Sequence, residues 1–345
     1  MQGNPTWRLM MGAGNARDSD TLFLAMSLSP YIAAYPWSGS GFGTRYSNPA
    51  SLAAGNASGI AVTKTGDAVA ISHQNSPYVA AYPWSGSGFG TKFSNPASTP
   101  GADGQGVAFS PDAASVILAN GNSPRFHCYQ WSNSGFGSRL TEPAGLGGTG
   151  YCVTFTTSGD TVFFGKSNNP EVTAFPWSSS TGVGTQYTNP VTNASGGIFE
   201  IACSPANNAV VGVIDVSPYV EAWVWSSGWG TKYSNPATLP PNNGRDVKFS
   251  PDGAFVAVAH DSSPAISVYP WTSGGGFGAR VANPGTAVSG NGRSVAFTRS
   301  GNAIAVGSSS SPFIQVYPWS ASGFGTKFSN PASLPEGAAN AATFN

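Results

Sequence analysis

A unit of about 47 residues recurs along this chain, and this repeat limits the possible folds more than any other feature. One position of the unit is always tryptophan, and successive tryptophans are 47, 47, 46, 48, 46 and 48 residues apart. Two neighbouring copies are nearly identical: SPYIAAYPWSGSGFGTRYSNPAS begins at Ser29, and SPYVAAYPWSGSGFGTKFSNPAS begins at Ser76. The repeated tryptophans are Trp37, Trp84, Trp131, Trp177, Trp225, Trp271 and Trp319.

Each unit contains four short apolar runs, which predict four strands. The runs are separated by Gly, Pro, Asn and Asp, as expected for strands joined by turns. Examples from the first to the fourth strand are GVAFS, AFVAVAH, AISVYPW and GTKFSNP. No segment shows the 3.6-residue periodicity of apolar residues that would predict a helix instead. The sequence therefore predicts an all-β, seven-bladed β-propeller with four antiparallel strands in each blade.

The two ends of the chain complement each other in this repeat. Counting back one period from Val62 reaches Asn15, which lies in no strand-like segment, so the first unit lacks its own first strand. Counting forward one period from Phe297 reaches Phe344, within AATFN. We expect the C-terminal strand 341–345 to join the N-terminal blade and close the ring, which removes the open sheet edges. Residues 18–345 would form this single propeller, and residues 1–17 an N-terminal arm outside it.

Several units resemble WD-repeat propellers. VKFSPDGAFVAVAHDSSPAISVYPW has the SPDG turn that is common between the first two strands of that family, and YPW stands where the family often has Trp-Asp. The Gly-His and Trp-Asp pairs of the family are missing, so the chain is similar to divergent propellers of bacterial and bacteriophage (virion) proteins. The resemblance implies a scaffold without a fixed chemistry.

The composition excludes some partners. Charged residues make up 9% of the chain, and fifteen basic residues balance fifteen acidic ones. Nucleic-acid contacts and anionic membrane surfaces need clustered Lys and Arg, so we expect no nucleic acid and no membrane insertion. Three cysteines without paired spacing do not predict a disulfide framework.

The seven repeated tryptophans have two interpretations. A residue that occurs in every blade is expected to be structural, packing between blades, because an active site breaks the symmetry of the repeat. The alternative is that repeated aromatic pockets stack on sugars, as in propeller lectins.

Functional residues are expected where the repeats differ. The loops between the second and third strands, and those between blades, vary most and are predicted to lie on one face of the ring. We take this face as the candidate binding face. Its charged residues are Asp103, Lys166, Arg245, Asp246, Asp261 and Arg293.

No catalytic pattern stands out. The chain has no G-x-S-x-G elbow, no P-loop, no H-E-x-x-H and no C-x-x-C. The sequence therefore predicts no enzyme activity, no catalytic residue, no metal and no cofactor. His73 and His260 are interpreted as polar loop residues.

The N-terminal arm is unusually apolar for a free tail. It carries Trp7, Leu9, Met10 and Met11. We expect it to dock, either on its own propeller or on a neighbouring subunit.

These observations predict a non-enzymatic structural propeller whose partners are other proteins, as subunits of a larger assembly. A bacteriophage virion component, such as a capsid decoration or tail protein, fits the composition. With no signal peptide, we expect synthesis in the cytoplasm and a final place on the virion surface. The alternative is a carbohydrate-binding propeller, a lectin or host-surface adhesin that binds glycans.

Overall fold

Seven four-stranded antiparallel sheets follow one another along the chain in the computed structural model, which describes residues 20–345. This part of the chain contains only strands and their connections. The predicted seven-bladed β-propeller is confirmed. Between residues 20 and 345 no helix is long and apolar enough to cross a membrane. The arm residues Trp7, Leu9, Met10 and Met11 lie outside the described residues.

The second and third strands of each blade carry most of the buried core. All seven second strands are buried over at least five consecutive residues because both faces pack against neighbouring blades, so they are mostly apolar instead of alternating. The inner strands are β4 (Ala57–Val62), β8 (Gly104–Phe109), β12 (Gly150–Phe155), β16 (Ile198–Cys203), β20 (Gly244–Phe249), β24 (Gly292–Phe297) and β28 (Ala339–Phe344). The second strands are β1 (Asp20–Met26), β5 (Ala68–His73), β9 (Ser115–Asn120), β13 (Thr161–Lys166), β17 (Ala209–Ile214), β21 (Phe255–His260) and β25 (Ala303–Ser308).

The third strands end in the repeated tryptophans, and the fourth strands form the outer edge. The third strands are β2 (Ile32–Ser38), β6 (Val79–Ser85), β10 (Phe126–Ser132), β14 (Val172–Ser178), β18 (Val220–Trp225), β22 (Ile266–Thr272) and β26 (Ile314–Ser320). The fourth strands are β3 (Gly41–Phe42), β7 (Gly88–Phe89), β11 (Gly135–Arg139), β15 (Gly182–Val183), β19 (Trp229–Lys232), β23 (Gly276–Phe277) and β27 (Gly323–Phe324).

Five of the fourth strands have only two residues, much less than GTKFSNP predicted. These five blades are the ones with proline before the repeated tryptophan. Proline has no N–H and cannot donate the next ladder hydrogen bond, although its carbonyl still accepts one, as from Gly43 N to Pro36 O at 2.7 Å. The two blades without this proline have Gln130 or Val224 there, and their fourth strands are longer.

The C-terminal strand closes the ring as predicted. β28 pairs antiparallel with β1, with Leu22 opposite Phe344 and Phe23 opposite Thr343. It spans Ala339–Phe344, so it begins two residues earlier and ends one residue earlier than the expected strand 341–345. The inner strands contact one another all the way round, so the sheets surround a central channel.

The repeated tryptophans are buried between blades, each only 3–7% exposed. Trp37, for example, meets Phe42 of its own blade at a centroid distance of 5.1 Å and Phe328 of the preceding blade at 4.9 Å, both edge to face. Such aromatic pairs add to the apolar burial that holds neighbouring blades together. No repeated tryptophan offers an open ring face on which a sugar could stack.

The two faces of the ring differ. On the first, which we call the loop face, the second strands end and the inner strands begin. The loops that lead into the third strands lie there, and each contains a cis peptide bond before proline, as at Ser29-Pro30 and Asn169-Pro170. The opposite face carries the tight turns between the inner and second strands.

Candidate functional site

Each inner strand has a β-bulge near the loop face, and one residue of the strand is left unpaired there. In every blade the pairing of the inner strand with the second strand skips the second residue of the inner strand. Such a bulge leaves its extra residue unpaired and redirects its side chain. These seven residues line one cavity of about 300 Å³ in the channel, and we call them the channel ring. They are Ser58, Gln105, Tyr151, Phe199, Arg245, Arg293 and Asn340.

The structure brings together four of the six charged residues predicted for the loop face. Arg245, Asp246 and Arg293 line the channel cavity, and Asp261 contacts Arg245 from the adjoining loop. They therefore lie inside the channel mouth and not on an open surface.

The other two predicted residues lie elsewhere. Asp103 is exposed on a loop and is not among the residues that line the cavity. Lys166 is only 1% exposed, which corrects its expected place on the surface. Its Nζ donates to the carbonyl oxygens of Asn168 and Pro170, so it holds its own loop together.

One side of the channel ring is a stacked wall. The rings of Tyr151 and Phe199 stack with centroids 4.7 Å apart and an angle of 17° between their planes. The guanidinium of Arg245 lies 5.8 Å from the Phe199 centroid. Arg245 Nε donates to Asp261 Oδ2 at 3.0 Å, and a second donor of the same guanidinium reaches that oxygen. The wall is therefore fixed in position by aromatic, cation–π and charged contacts.

Below the channel ring, three ionisable side chains meet between blades. Lys248 Nζ lies 2.8 Å from Glu200 Oε1 and 2.9 Å from Asp246 Oδ1. Asp246 also accepts a hydrogen bond of 2.8 Å from the backbone N–H of Val295, so it ties its blade to the next one. The Glu200 side chain is 27% exposed and that of Lys248 is 35% exposed.

The proton affinities in this cluster differ from ordinary values. Burial deep in the ring raises the pKa of Glu200 to about 7; the Lys248 ammonium opposes this rise, and the Asp246 carboxylate adds to it. Burial alone would lower the pKa of Lys248, but the Asp246 and Glu200 carboxylates raise it overall. Lys248 therefore stays charged at neutral pH, while Glu200 can exchange a proton there.

Sequence reasoning missed Glu200, Lys248, Tyr151 and Phe199. A signal was present at the third residue of the inner strands, which faces the neighbouring blade. This residue is small in five blades because the approach is close: a Cβ on Gly106 would lie 2.8 Å from the Tyr151 carbonyl oxygen. Only two blades, in which the third residues are Glu200 and Asp246, place acids there. Two neighbouring acids in a column of small residues break the symmetry of the repeat.

Histidine and cysteine supply no alternative centre. Burial raises the pKa of the Cys128 and Cys152 thiols well above the usual range, which keeps them protonated. His73 and His260 are fully buried at the ends of their strands, so their interpretation as loop residues was wrong. Within residues 20–345, no three His, Cys, Asp or Glu side chains are grouped as metal ligands.

Solved structures share this fold over nearly the whole chain. A candidate 6-phosphogluconolactonase from Bacteroides fragilis matches with a TM-score of 0.79 and 13% identity, covering 96% of this chain and 99% of that one. A second candidate 6-phosphogluconolactonase, from Bacteroides uniformis, matches with a TM-score of 0.75 and 16% identity, covering 95% of this chain and 100% of that one. The periplasmic gluconolactonase of Pseudomonas aeruginosa matches with a TM-score of 0.74 and 14% identity, covering 94% of this chain and 99% of that one. No protein-family model and no curated protein matches the chain.

These comparisons correct the functional predictions. The chain is a seven-bladed propeller, and the solved structures named above are lactonase-like propellers and not WD-repeat or phage proteins. The predictions of a non-enzymatic virion component and of no enzyme activity are contradicted, because the solved neighbours are named as lactonases. A place on the virion surface finds no support. At identities of 13–16% the likeness shows the fold alone, so the chemistry must be argued from the site.

Proposed function

We propose that the channel mouth binds a lactone of a sugar acid and hydrolyses it. The observation that carries this proposal is the Glu200–Lys248 pair, a carboxyl group with a pKa of about 7 beside a fixed positive charge, both accessible to solvent in the channel. Perturbed groups that meet in a cavity are a common mark of an active site. The lactonase-like propellers of the same fold support the choice of substrate.

Glu200 is assigned the role of general base. Its carboxylate removes a proton from a water molecule while the water oxygen bonds to the lactone carbonyl carbon. The ring C–O bond then breaks, and the leaving hydroxyl oxygen takes the proton back from Glu200, so the open-chain acid forms without any other reactant. General base catalysis of this kind contributes about 100- to 10,000-fold in rate.

Lys248 is assigned the stabilisation of the developing negative charge. Its ammonium stays protonated next to the two carboxylates and faces the same channel. A fixed positive charge in a partly desolvated site stabilises an oxyanion better than water does, because it needs no reorganisation during the reaction.

The channel ring supplies groups that suit a sugar acid. Tyr151 and Phe199 offer an apolar wall for the C–H faces of the substrate, and Gln105 and Ser58 offer hydrogen bonds to hydroxyl groups. Asn340 is held in place by its donor bonds to Asn56 Oδ1 and to the Ala57 carbonyl oxygen, at 2.9 and 2.8 Å.

The proposal is tested by hydrolysis of glucono-δ-lactone and 6-phosphogluconolactone, with spontaneous ring opening subtracted. Glu200→Gln should reduce kcat by about 100-fold or more. The matched control is Glu336→Gln, which makes the same chemical change at an ion pair with Arg45 on the outer rim. Wild-type turnover no faster than the spontaneous reaction, or equal activity in the two variants, would refute the proposal.

A further inference from the structure

The three cations of the channel mouth differ in how they are neutralised. Arg245 is held by Asp261 through two hydrogen bonds. Lys248 lies within 3 Å of both Glu200 and Asp246. Arg293 lines the same cavity but makes no ion pair with any residue between 20 and 345.

The Arg293 guanidinium is also short of hydrogen bonds. Its Nε atom is buried and finds no partner in the described part of the chain. A buried donor without a partner costs free energy, so such a group in a cavity points to a ligand that would satisfy it. The Nε atoms of Arg45 and Arg125 are also buried without a partner, but the guanidinium of Arg45 pairs with Glu336, and that of Arg125 donates to the Gly121 carbonyl oxygen. The Arg293 guanidinium has neither kind of contact with the described residues.

The position of Arg293 carries no repeated structural role. It is a channel-ring residue, and in the other blades this position holds Ser, Gln, Tyr, Phe, Arg or Asn. The ring therefore closes without a cation at this place, and packing does not account for Arg293.

We infer that Arg293 binds an anionic group, a phosphate or a carboxylate, that the lactone carries away from its reacting carbonyl, so that the channel selects charged lactones over neutral ones. The planar fork of a guanidinium matches both anions through paired hydrogen bonds. Arg245 is less suited to this role because Asp261 already binds its guanidinium, and Lys248 is assigned to the reacting carbonyl oxygen. This inference rests on the proposed lactone hydrolysis and names the class of lactone.

The test compares kcat/KM for three substrates: neutral glucono-δ-lactone, 6-phosphogluconolactone and glucarolactone, which carries a carboxylate. The variants are Arg293→Gln, Arg293→Lys and the matched control Arg280→Gln. Arg280 lies outside the cavity and donates only a long bond, 3.4 Å, to the Leu239 carbonyl oxygen. Thermal unfolding of each variant shows whether it is folded.

The wild type should prefer at least one charged substrate by about 10- to 100-fold, the range expected for a charge-assisted hydrogen-bonded pair. Arg293→Gln should lower kcat/KM for the charged lactone far more than for the neutral one and so bring this preference close to one. Arg293→Lys should keep part of the preference, and Arg280→Gln all of it. The charged substrate that loses most identifies the anion. No preference in the wild type, or an unchanged preference in Arg293→Gln, would overturn the inference.

A failure of the proposed function gives a different result. If no lactone is hydrolysed, calorimetry decides by comparing the binding of 6-phosphogluconate, glucarate and gluconate to the wild type and to Arg293→Gln. Tighter binding of 6-phosphogluconate or glucarate than of gluconate, lost in Arg293→Gln, sustains the anion site while the hydrolase is rejected. Equal binding of all three, or a preference that persists in the variant, rejects the site as well.

Discussion

Lys248 Nζ lies 2.8 Å from Glu200 Oε1, and this contact joins the inner strands of two neighbouring blades. The same ammonium reaches Asp246, whose other oxygen accepts the Val295 N–H of the next blade. The cluster therefore links three of the seven blades at the channel wall. Changes in it should affect both the chemistry proposed for the channel and the stability of the ring.

Activity should rise with pH through about 7. Glu200, whose pKa burial raises to about 7, acts as a base only when it is deprotonated. The pH profile of kcat/KM for a lactone should therefore show a rising limb near that value. In Asp246→Asn the limb should move to lower pH, because the Asp246 carboxylate adds to the raised pKa of Glu200. A flat profile between pH 5 and 8 would rule out Glu200 as the base.

Stability should change in the opposite direction with pH. Folded Glu200 keeps its proton up to about pH 7, whereas the unfolded carboxyl loses it near its ordinary pKa of 4.5. The folded state thus binds more protons between these values, and the stability from this group is complete below 4.5 and lost as pH rises to about 7. In urea unfolding, the free energy of unfolding of Glu200→Gln should rise relative to that of the wild type as the pH increases across this window. A difference between the two proteins that is independent of pH would contradict the raised pKa.

Asp246→Asn should destabilise the ring. Asp246 is 6% exposed, and the substitution removes the charge that faces Lys248 while leaving an acceptor for Val295 N. Breaking a buried ion pair costs about 3–5 kcal/mol and breaking an exposed one about 0–1. We expect about 2 kcal/mol here, because the Lys248 side chain is 35% exposed and keeps its contact with Glu200. The control is Asp103→Asn on the exposed loop, which should stay within about 0.5 kcal/mol of the wild type in urea unfolding. Equal stabilities for the two variants would show that the cluster adds nothing to the ring.

Pro83→Gln should lengthen a fourth strand. Pro83 stands before Trp84 in a blade whose fourth strand has two residues, whereas the blade with Gln130 at the equivalent position has five. Restoring an N–H allows the next ladder hydrogen bond, which is worth about 1 kcal/mol. Hydrogen exchange should find the new amide of residue 83 protected, as the amide of Gln130 is expected to be. Rapid exchange at residue 83 would mean that proline does not limit the strand.

Much of the fold could be predicted because the same pattern of apolar runs and turns occurs in seven repeats. The tryptophan period, the four apolar runs and the complementary ends each depend on local sequence, and together they predicted the blades and the closing strand. The bounds of the fourth strand could not be read from GTKFSNP. They depend on the strand alongside, where Pro36 and its equivalents lack the N–H that pairing would use.

The candidate site was predicted only in part. Loop variation indicated Arg245, Asp246 and Arg293, and the structure brings these into one cavity. Glu200 and Lys248 were passed over because they lie inside strands that were assigned to the core. Lys166 was placed on the surface for the opposite reason: it ends a strand, but its long side chain turns back to cap its own loop.

The sequence by itself determined the number of blades, their strands and the closure of the ring, because these follow from periodicity and from the need to pair every strand edge. Only the tertiary structure decided which side chains meet in the channel. Glu200 and Lys248 are 48 residues apart in the chain, and their contact exists because neighbouring inner strands converge on the axis. The raised pKa of Glu200 and the missing partner of Arg293 are consequences of that convergence, since both depend on burial and on groups from other blades.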